Sequence, residues 1–491
     1  MTRRPPLPLP AGRPGEVAVV GLGASGRAAA ELLRRHGHAV YASDAGAAPR
    51  AREAAQALTA LGVDVQPAGH DLARIARAAC VVASPGVPPE APPLAAAREA
   101  GVPVVGELEV ALLAMPTLRY VAVTGTNGKT TTTALVGHLL RALGHEAPDA
   151  GNIGTPLASL ALRDAPPPWV ALEMSSFQLH DTPSVKPTVG VVTNLSPDHL
   201  DRYPDVAAYY ADKARLFANA DAGSRWVLNA DDAAVLGLFH RWPGFADAHA
   251  TLPGSVHGFS VADPERHAAI GPAGPLRFAD AHYDRTRGTL VVLGSPLLDR
   301  AALPLMGDHN VANALAAALA VAVADPAHRT PDARAVIARA LASFRALAHR
   351  LEAVGTFDGV TWINDSKATN VASTQVALAG MSRPTILLLG GRHKGDPYTP
   401  LIPELNRCAK VVLAYGEAAP LVERDLAGFV PVERLGSSFD EVMQRARAVS
   451  APGDVVLLSP ACSSYDMFAN YEERGATFRR LAAVGDQTLP A

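Results

Sequence analysis

The sequence predicts an α/β protein of three units, each a mainly parallel sheet with flanking helices. Three observations carry that expectation. The chain has 491 residues, and at roughly 150 residues per domain that length suits about three domains. Short apolar runs alternate with Ala- and Leu-rich stretches along most of the chain, the order that builds parallel sheets covered on both faces. Two Gly-rich turns, Gly21–Gly26 and Thr124–Thr130, each stand between a strand-like run and a helix-like one.

Residues 1–14 are rich in proline and have no apolar stretch of the kind a secretory signal needs, so they read as a flexible tail. In the first unit, residues 16–20, 38–42, 80–83 and 102–105 read as strands, with a helix after Gly26 to about Arg35. This unit ends near Pro116. In the second, strands are expected at 120–123, 169–172, 189–193 and 225–229, and helices at 129–143, 309–324 and 332–344. Segment 252–300, with Gly, Pro and short alternating runs, reads as a small antiparallel excursion. The third unit starts near Leu347 and offers strands at 360–364, 385–389, 411–414 and 455–459. The domain bounds are therefore 1–116, 117–346 and 347–491.

Composition removes several function classes. With 48% hydrophobic and 19% charged residues the chain can bury a core. A formal net charge of −3 gives no electrostatic case for nucleic-acid binding. The longest apolar run, Ala314–Ala324, is too short for a bilayer core of about 30 Å and reads as a buried helix, so no membrane insertion is expected. Three dispersed cysteines, Cys80, Cys408 and Cys462, form neither a disulfide framework nor a metal motif and suit a cytoplasmic protein.

The turns carry the chemistry. Gly21, Gly23 and Gly26 fit Gly-x-Gly-x-x-Gly, where bare backbone approaches a diphosphate at a helix N-terminus; Asp44 ends the next strand, where it could hold a sugar hydroxyl or base edge. Thr124–Thr130 contains Gly125, Thr126, Asn127, Gly128, Lys129 and Thr130, a phosphate loop shorter than the usual template, since Val123 stands where that template has its first Gly. Lys129 would neutralise β/γ oxygens and Thr130 reach Mg²⁺. A dehydrogenase needs only the first turn and a GTPase only the second; a ligase coupling ATP to a nucleotide-tagged substrate needs both. Glu173 and His199 follow strands of the second unit, where ligands of parallel sheets collect, and suit one or two Mg²⁺ ions. In the third unit Asn364–Asn370, Gly390–Lys394 and Ser459–Asp466 each follow a strand. Lys367, Lys394, Thr369 and Ser464 in these loops suit a small dianion. Arg350 could reach ATP phosphates or be a surface arginine.

These residues resemble the Mur ligase family over nearly the whole chain. The segments that carry the likeness are Thr124–Thr130, Gly151–Gly154, Glu173–Gln178, Asp198–Pro204, His309–Asn313, Asn364–Asn370 and Ser459–Gly475. The last two favour the branch that adds D-glutamate. The resemblance implies a Rossmann-like UDP-binding domain, a P-loop ATPase-like central domain and a Rossmann-like amino-acid-binding domain. It implies ATP and Mg²⁺, with no flavin or nicotinamide, and UDP-N-acetylmuramoyl-L-alanine and D-glutamate as substrates of a probable monomer. By the same likeness Gly23, Ser25, Asp44, Gly86, Asn152 and His199 contact the UDP substrate. Gly125–Thr130, Thr131, Asn310, Asn313, Arg350, Asp365 and Lys367 serve ATP. Thr369, Lys394, Ser464 and Tyr471 line the D-glutamate pocket, with Tyr471 adding a hydroxyl where the family usually has Phe. Thr130, Glu173, His199 and Lys213 are implied metal ligands, Lys213 as a carbamate; its residue type alone marks it as a surface lysine. Lys129, Glu173, His199 and Lys213 are the implied catalytic set. Two rivals are a nicotinamide-dependent oxidoreductase using the first turn and a non-catalytic ATP-gated sensor; a ligase for another amino acid is the nearest competitor.

Overall fold

A computed structural model of the chain describes residues 5–46, 49–200, 202–238, 252–262, 279–345 and 348–483. The first four residues of the expected tail, Asp201 of the Asp198–Pro204 motif, the 263–278 part of the expected excursion, and the boundary at Leu347 lie outside them. Among the described residues three sheets are present. The first is wholly parallel: β1 (Val17–Val20), β2 (Val40–Ser43), β3 (Asp64–Gln66), β4 (Cys80–Ala83) and β5 (Val104–Gly106), in the order β3-β2-β1-β4-β5. The strand order reverses between β1 and β4, and open α/β sheets take ligands in that crevice. Both the Gly21–Gly26 turn and Ser84–Gly86 stand at its mouth, since they follow β1 and β4.

The second sheet has nine strands: β6 (Arg119–Thr124), β7 (Asp149–Gly151), β8 (Trp169–Glu173), β9 (Val189–Val192), β10 (Arg225–Asn229), β11 (Ser255–Ser260), β12 (Ala281–Asp284), β13 (Thr289–Val292) and β14 (Ser295–Asp299). Their order is β14-β13-β12-β11-β10-β9-β6-β8-β7. The expected small antiparallel excursion at 252–300 is met in part, by β12-β13-β14, and corrected in part. β11 pairs parallel with β10 and β12 parallel with β11; only β12-β13-β14 is antiparallel. The segment extends the main sheet, and its hairpins continue an edge that would otherwise be bare.

The third sheet holds β15 (Glu352–Phe357), β16 (Val360–Asn364), β17 (Thr385–Gly390), β18 (Ala409–Tyr415), β19 (Val432–Arg434) and β20 (Val455–Leu458), ordered β15-β16-β20-β17-β18-β19. All pairs are parallel except β15-β16. Alternate residues feed two cores: Leu387, Leu389, Val412 and Leu457 on one face, Ile386, Leu388, Leu413 and Val456 on the other. Both faces are covered, so the strands read as near-continuous apolar runs. The edge strands β3, β7, β15 and β19 carry weak runs and do not stand out in the sequence.

The backbone forms two compact units. One comprises Met1–Leu195, Ala207–Arg300 and Ala312–Ala342 and contains the first two sheets; the other comprises Ser196–Val206, Ala301–Val311 and Ser343–Ala491 and contains the third. Within the first unit, β5 and the helix Glu107–Ala114 bind the first sheet to the second. The Gly106 amide donates to the Asp181 carbonyl, Ser184 donates from its amide and hydroxyl to Glu109, and the Ala158 amide donates to Glu107. Burial pushes the Glu107 carboxyl up to about 7 despite that amide.

The described part of the N-terminal stretch corrects the flexible-tail expectation. Leu7 is buried and its amide donates to His38 Nε2, while Gly12 donates to the Ala79 carbonyl. Proline costs little backbone entropy to fix, so one apolar anchor and a few hydrogen bonds hold the segment down. Ala314–Ala324 is the buried end of helix Asp308–Ala324, and no helix among the described residues is long and apolar enough to cross a membrane.

Candidate active site

The phosphate loop joins β6 to the helix Lys129–Ala142, whose N-cap, Gly128, is left-handed at φ 80°. A Cβ at Gly128 would lie 2.4 Å from Asn313 Oδ1, and one at Gly125 (φ 140°) 2.0 Å from Thr193 Oγ1. Both positions thus require glycine for backbone conformation and for space. Lys129 Nζ donates to the carbonyls of Thr126 (2.7 Å) and Gly125 (3.1 Å), so the ammonium lies over the loop. Asn313 also accepts from Thr132 Oγ1. Thr130 and Thr131 are buried at the start of the helix.

The residues that shape the loop lie just past β9, and sequence reasoning missed them. Thr193 Oγ1 donates to the Asn127 carbonyl at 2.6 Å. Asn194 accepts from the Asn127 amide (2.8 Å) through Oδ1 and donates to its carbonyl (2.9 Å) through Nδ2. The Asn194 carbonyl accepts from the Thr126 amide. The available signal was two polar residues directly after an apolar strand whose neighbour carries the loop.

Glu173, the last residue of β8, is 1% exposed. Its Oε1 accepts from Asn152 Nδ2 at 2.8 Å, and its Oε2 has no hydrogen-bond partner among the described residues. A buried carboxylate oxygen left without a donor is costly, and a hard cation is a natural partner. Lys213 is the sharpest correction to residue type. It is 1% exposed, donates from Nζ to the Gly125 carbonyl at 2.8 Å and lies 4.6 Å from the Tyr209 ring centre. The structure brings Lys129, Lys213 and the loop together, and separately pairs Asn152 with Glu173.

At the first sheet, Asp44 accepts from the Leu22 amide (2.6 Å) with one oxygen and the Gly46 amide (2.7 Å) with the other, so it shapes the glycine turn. A Cβ on Gly26 would strike the Gly21 carbonyl at 1.9 Å. Gly23 and Gly86 are exposed and Ser25 is half-buried.

In the second unit His199 takes a left-handed conformation at φ 57°, and its Nε2 lies 3.8 Å from Asp198 Oδ2. That carboxylate oxygen also accepts from Asn370 Nδ2 at 2.9 Å, a buried pair 172 residues apart in sequence that sequence reasoning missed. Asn310 is buried and donates to the Met306 carbonyl. Burial pushes the Asp365 carboxyl up to about 7, opposed by the Arg350 guanidinium and by hydrogen bonds from Ser459 Oγ and the Leu351 amide. Arg350 is half-buried, and its Nε has no hydrogen-bond partner among the described residues. Lys367 Nζ is 5.3 Å from the Tyr471 ring centre, and Lys394 Nζ is 3.4 Å from Thr369 Oγ1. Ser464 is buried in the loop after β20. β20 lies between β16 and β17, so the three polar loops emerge side by side at the carboxyl ends of adjacent strands. Among the described residues no group of three or more His, Cys, Asp or Glu side chains gathers as a metal site.

One unit carries a phosphate loop and a second glycine turn, and the other a sheet whose strand-end loops bear lysines; these are the parts an ATP-dependent ligase of nucleotide-linked substrates needs. Three family descriptions match in order: the Mur ligase MurD-like N-terminal domain at residues 15–106, the Mur ligase middle domain at 123–321, and the Mur ligase glutamate ligase domain at 349–462. The chain belongs to the Mur ligase family, whose members form peptide bonds with ATP in peptidoglycan synthesis. The UDP-N-acetylmuramoylalanine–D-glutamate ligase of Anaeromyxobacter dehalogenans is 44% identical over 477 residues, covering 95% of this chain and 97% of the relative. That of Myxococcus xanthus is 40% identical over 473 residues, with the same coverage. Among solved structures, a pseudomurein peptide ligase type C from Methanothermus fervidus matches with TM-score 0.57 at 20% identity, covering 96% of this chain and 99% of that one. The UDP-N-acetylmuramate–alanine ligase MurC of Thermotoga maritima matches at 0.55 and 19%, covering 95% and 98%. At such identities these structures speak for the fold.

Proposed function

We propose that this enzyme joins D-glutamate to UDP-N-acetylmuramoyl-L-alanine, with ATP as the driving reactant. The observation that carries the choice of amino acid is the set of three loops at β16, β20 and β17, where Lys394 meets Thr369 and the loop after β20 carries Ser464. Cations and hydroxyls at that edge suit a small dianion. The names of the relatives point the same way. The working modules are 1–116 for the UDP substrate, through Gly23, Ser25, Asp44 and Gly86; 117–346 for ATP; and 347–491 for D-glutamate, through Thr369, Lys394, Ser464 and Tyr471.

A carboxylate resists amines because oxide is a poor leaving group. The alanyl carboxylate therefore attacks the γ-phosphorus of ATP, releasing ADP and forming an acyl phosphate. The amine of D-glutamate adds to the acyl carbon, and the adduct collapses to the amide and orthophosphate. Phosphoryl transfer is mostly positioning and charge stabilisation. Lys129 supplies charge at the loop, with Asn310, Asn313, Arg350, Asp365 and Lys367 assigned to the nucleotide. Asn152 and His199 are assigned to the sugar–alanine end. The unpartnered oxygen of Glu173 suits Mg²⁺, with Thr130 and a carbamylated Lys213 as further donors from the same unit; when bound, the ion would offset charge on the phosphates. We place the reaction in the cytoplasm and take the enzyme as a monomer.

The test is an amino-acid panel: ATP and UDP-N-acetylmuramoyl-L-alanine with each candidate amino acid, read by product mass and phosphate release. D-Glutamate should be the strongly preferred acceptor. Preference for another amino acid would overturn the assignment.

A further inference from the structure

The geometry points to Arg474 as the positioning residue of the amino-acid pocket, a clamp that sets two of its loops against each other. This rests on the D-glutamate assignment above. Arg474 lies in the first turn of the helix Tyr471–Ala483 and is 0% exposed. Its guanidinium spans two strand-end loops. Nε donates to Ser366 Oγ (3.0 Å) and Nη2 to the Ser366 carbonyl (2.8 Å), in the loop after β16. Nη2 also donates to the Cys462 carbonyl (3.1 Å) and Nη1 to the Ser463 carbonyl (3.3 Å), in the loop after β20.

Each contact falls beside a pocket residue. Ser366 lies three residues before Thr369, Ser463 precedes Ser464, and Arg474 itself is three residues, about one helical turn, from Tyr471. Ser366 Oγ donates in turn to the Tyr471 carbonyl, which closes the ring. The third loop is drawn in by backbone. Arg392 and Ser463 exchange hydrogen bonds, and a Cβ on Gly391 would lie 2.3 Å from the Ser463 carbonyl and 3.1 Å from Arg474 Nη1.

All four acceptors are uncharged, and among the described residues no carboxylate comes within ion-pair distance of this guanidinium. Burying a cation without a countercharge is expensive, so the position is poorly explained as a stability device alone. A planar fork of fixed donors can hold three carbonyls and a hydroxyl at once, which a lysine ammonium cannot. The same charge stands behind the pocket that would receive a dianion, where it adds to the field of Lys394.

Arg474→Lys, which keeps the charge and loses the fork, should raise KM for D-glutamate at least about tenfold while KM for ATP and for the nucleotide substrate stays within about twofold. Arg474→Ala should lose more, and added guanidinium ion should restore part of its D-glutamate turnover. If Arg474→Ala does not fold, Ser366→Ala takes its place, with a smaller rise confined to the same KM. An unchanged KM for D-glutamate in Arg474→Lys, or equal weakening of all three substrates without guanidinium rescue of Arg474→Ala, would overturn the inference. If the wild type itself does not ligate D-glutamate, the functional assignment fails instead, and the two failures are distinct.

Discussion

The phosphate loop and the proposed amino-acid pocket are built in opposite ways. The loop is local: Gly125 to Thr131 is one uninterrupted segment, and its shape is held by the adjoining Thr193–Asn194 backbone and side chains. The pocket is assembled from residues between Asn364 and Arg474, on three loops that meet only because β16, β20 and β17 are neighbours. A local site is robust in geometry and sensitive in its few charged or glycine positions. An assembled site depends on the residues that tie its parts together.

The largest effect is expected at Lys129. Lys129→Ala should lower turnover by about a thousandfold, since it removes the loop cation that the proposed function assigns to the ATP phosphates, while calorimetric binding of the UDP substrate persists. Near-normal ADP release would remove the phosphoryl site from this loop. Gly128→Ala comes next. With φ at 80° and Asn313 Oδ1 2.4 Å from the new Cβ, the loop must shift, and kcat/KM for ATP should fall about a hundredfold. An unaltered value would show that the loop is not held by its neighbours.

The third sheet should reveal itself through pH, at the strand-end loop that carries Asp365. Burial raises the Asp365 carboxyl to about 7, whereas an ordinary aspartate ionises near 3.8. The folded protein therefore holds this proton more tightly than the unfolded chain does. The stability that this proton confers is complete below 3.8 and is lost as pH rises through about 7. Asp365→Asn has no such loss, so its melting temperature should gain on the wild type between about pH 4 and about pH 8. Parallel curves for the two proteins would contradict the raised carboxyl. The smallest effect is expected at Thr193→Val, which removes one hydrogen bond to the Asn127 carbonyl and should raise KM for ATP about fivefold, measured by steady-state phosphate release. No change would mean that Asn194 alone holds the loop.

The central strands and both glycine turns were legible because a buried parallel strand is a nearly unbroken apolar run and a phosphate loop needs small residues at fixed spacing. The edge strands β3, β7, β15 and β19 were not, because edge and half-exposed strands carry little pattern. The 252–300 segment was read correctly only for β12-β13-β14, for a related reason: alternation reveals a strand but not which partner it will pair with, and β11 joins the main sheet in parallel. Residues that act as ligands in a contiguous motif could be named from the chain, whereas Asn194, Asp198, Asn370 and Arg474 act on partners in other segments or loops and leave no spacing to recognise.

By itself the amino-acid sequence determined the α/β class, the two glycine turns and the polar loops that follow the third-unit strands, because each depends on residues close together along the chain. Tertiary structure alone decided that Lys213 lies buried against the Gly125 carbonyl, that Glu173 keeps one unpartnered oxygen, and that one arginine grips loops roughly a hundred residues apart. Burial and partnership are properties of the packed sheet ends, and they come into existence only when distant strands become neighbours.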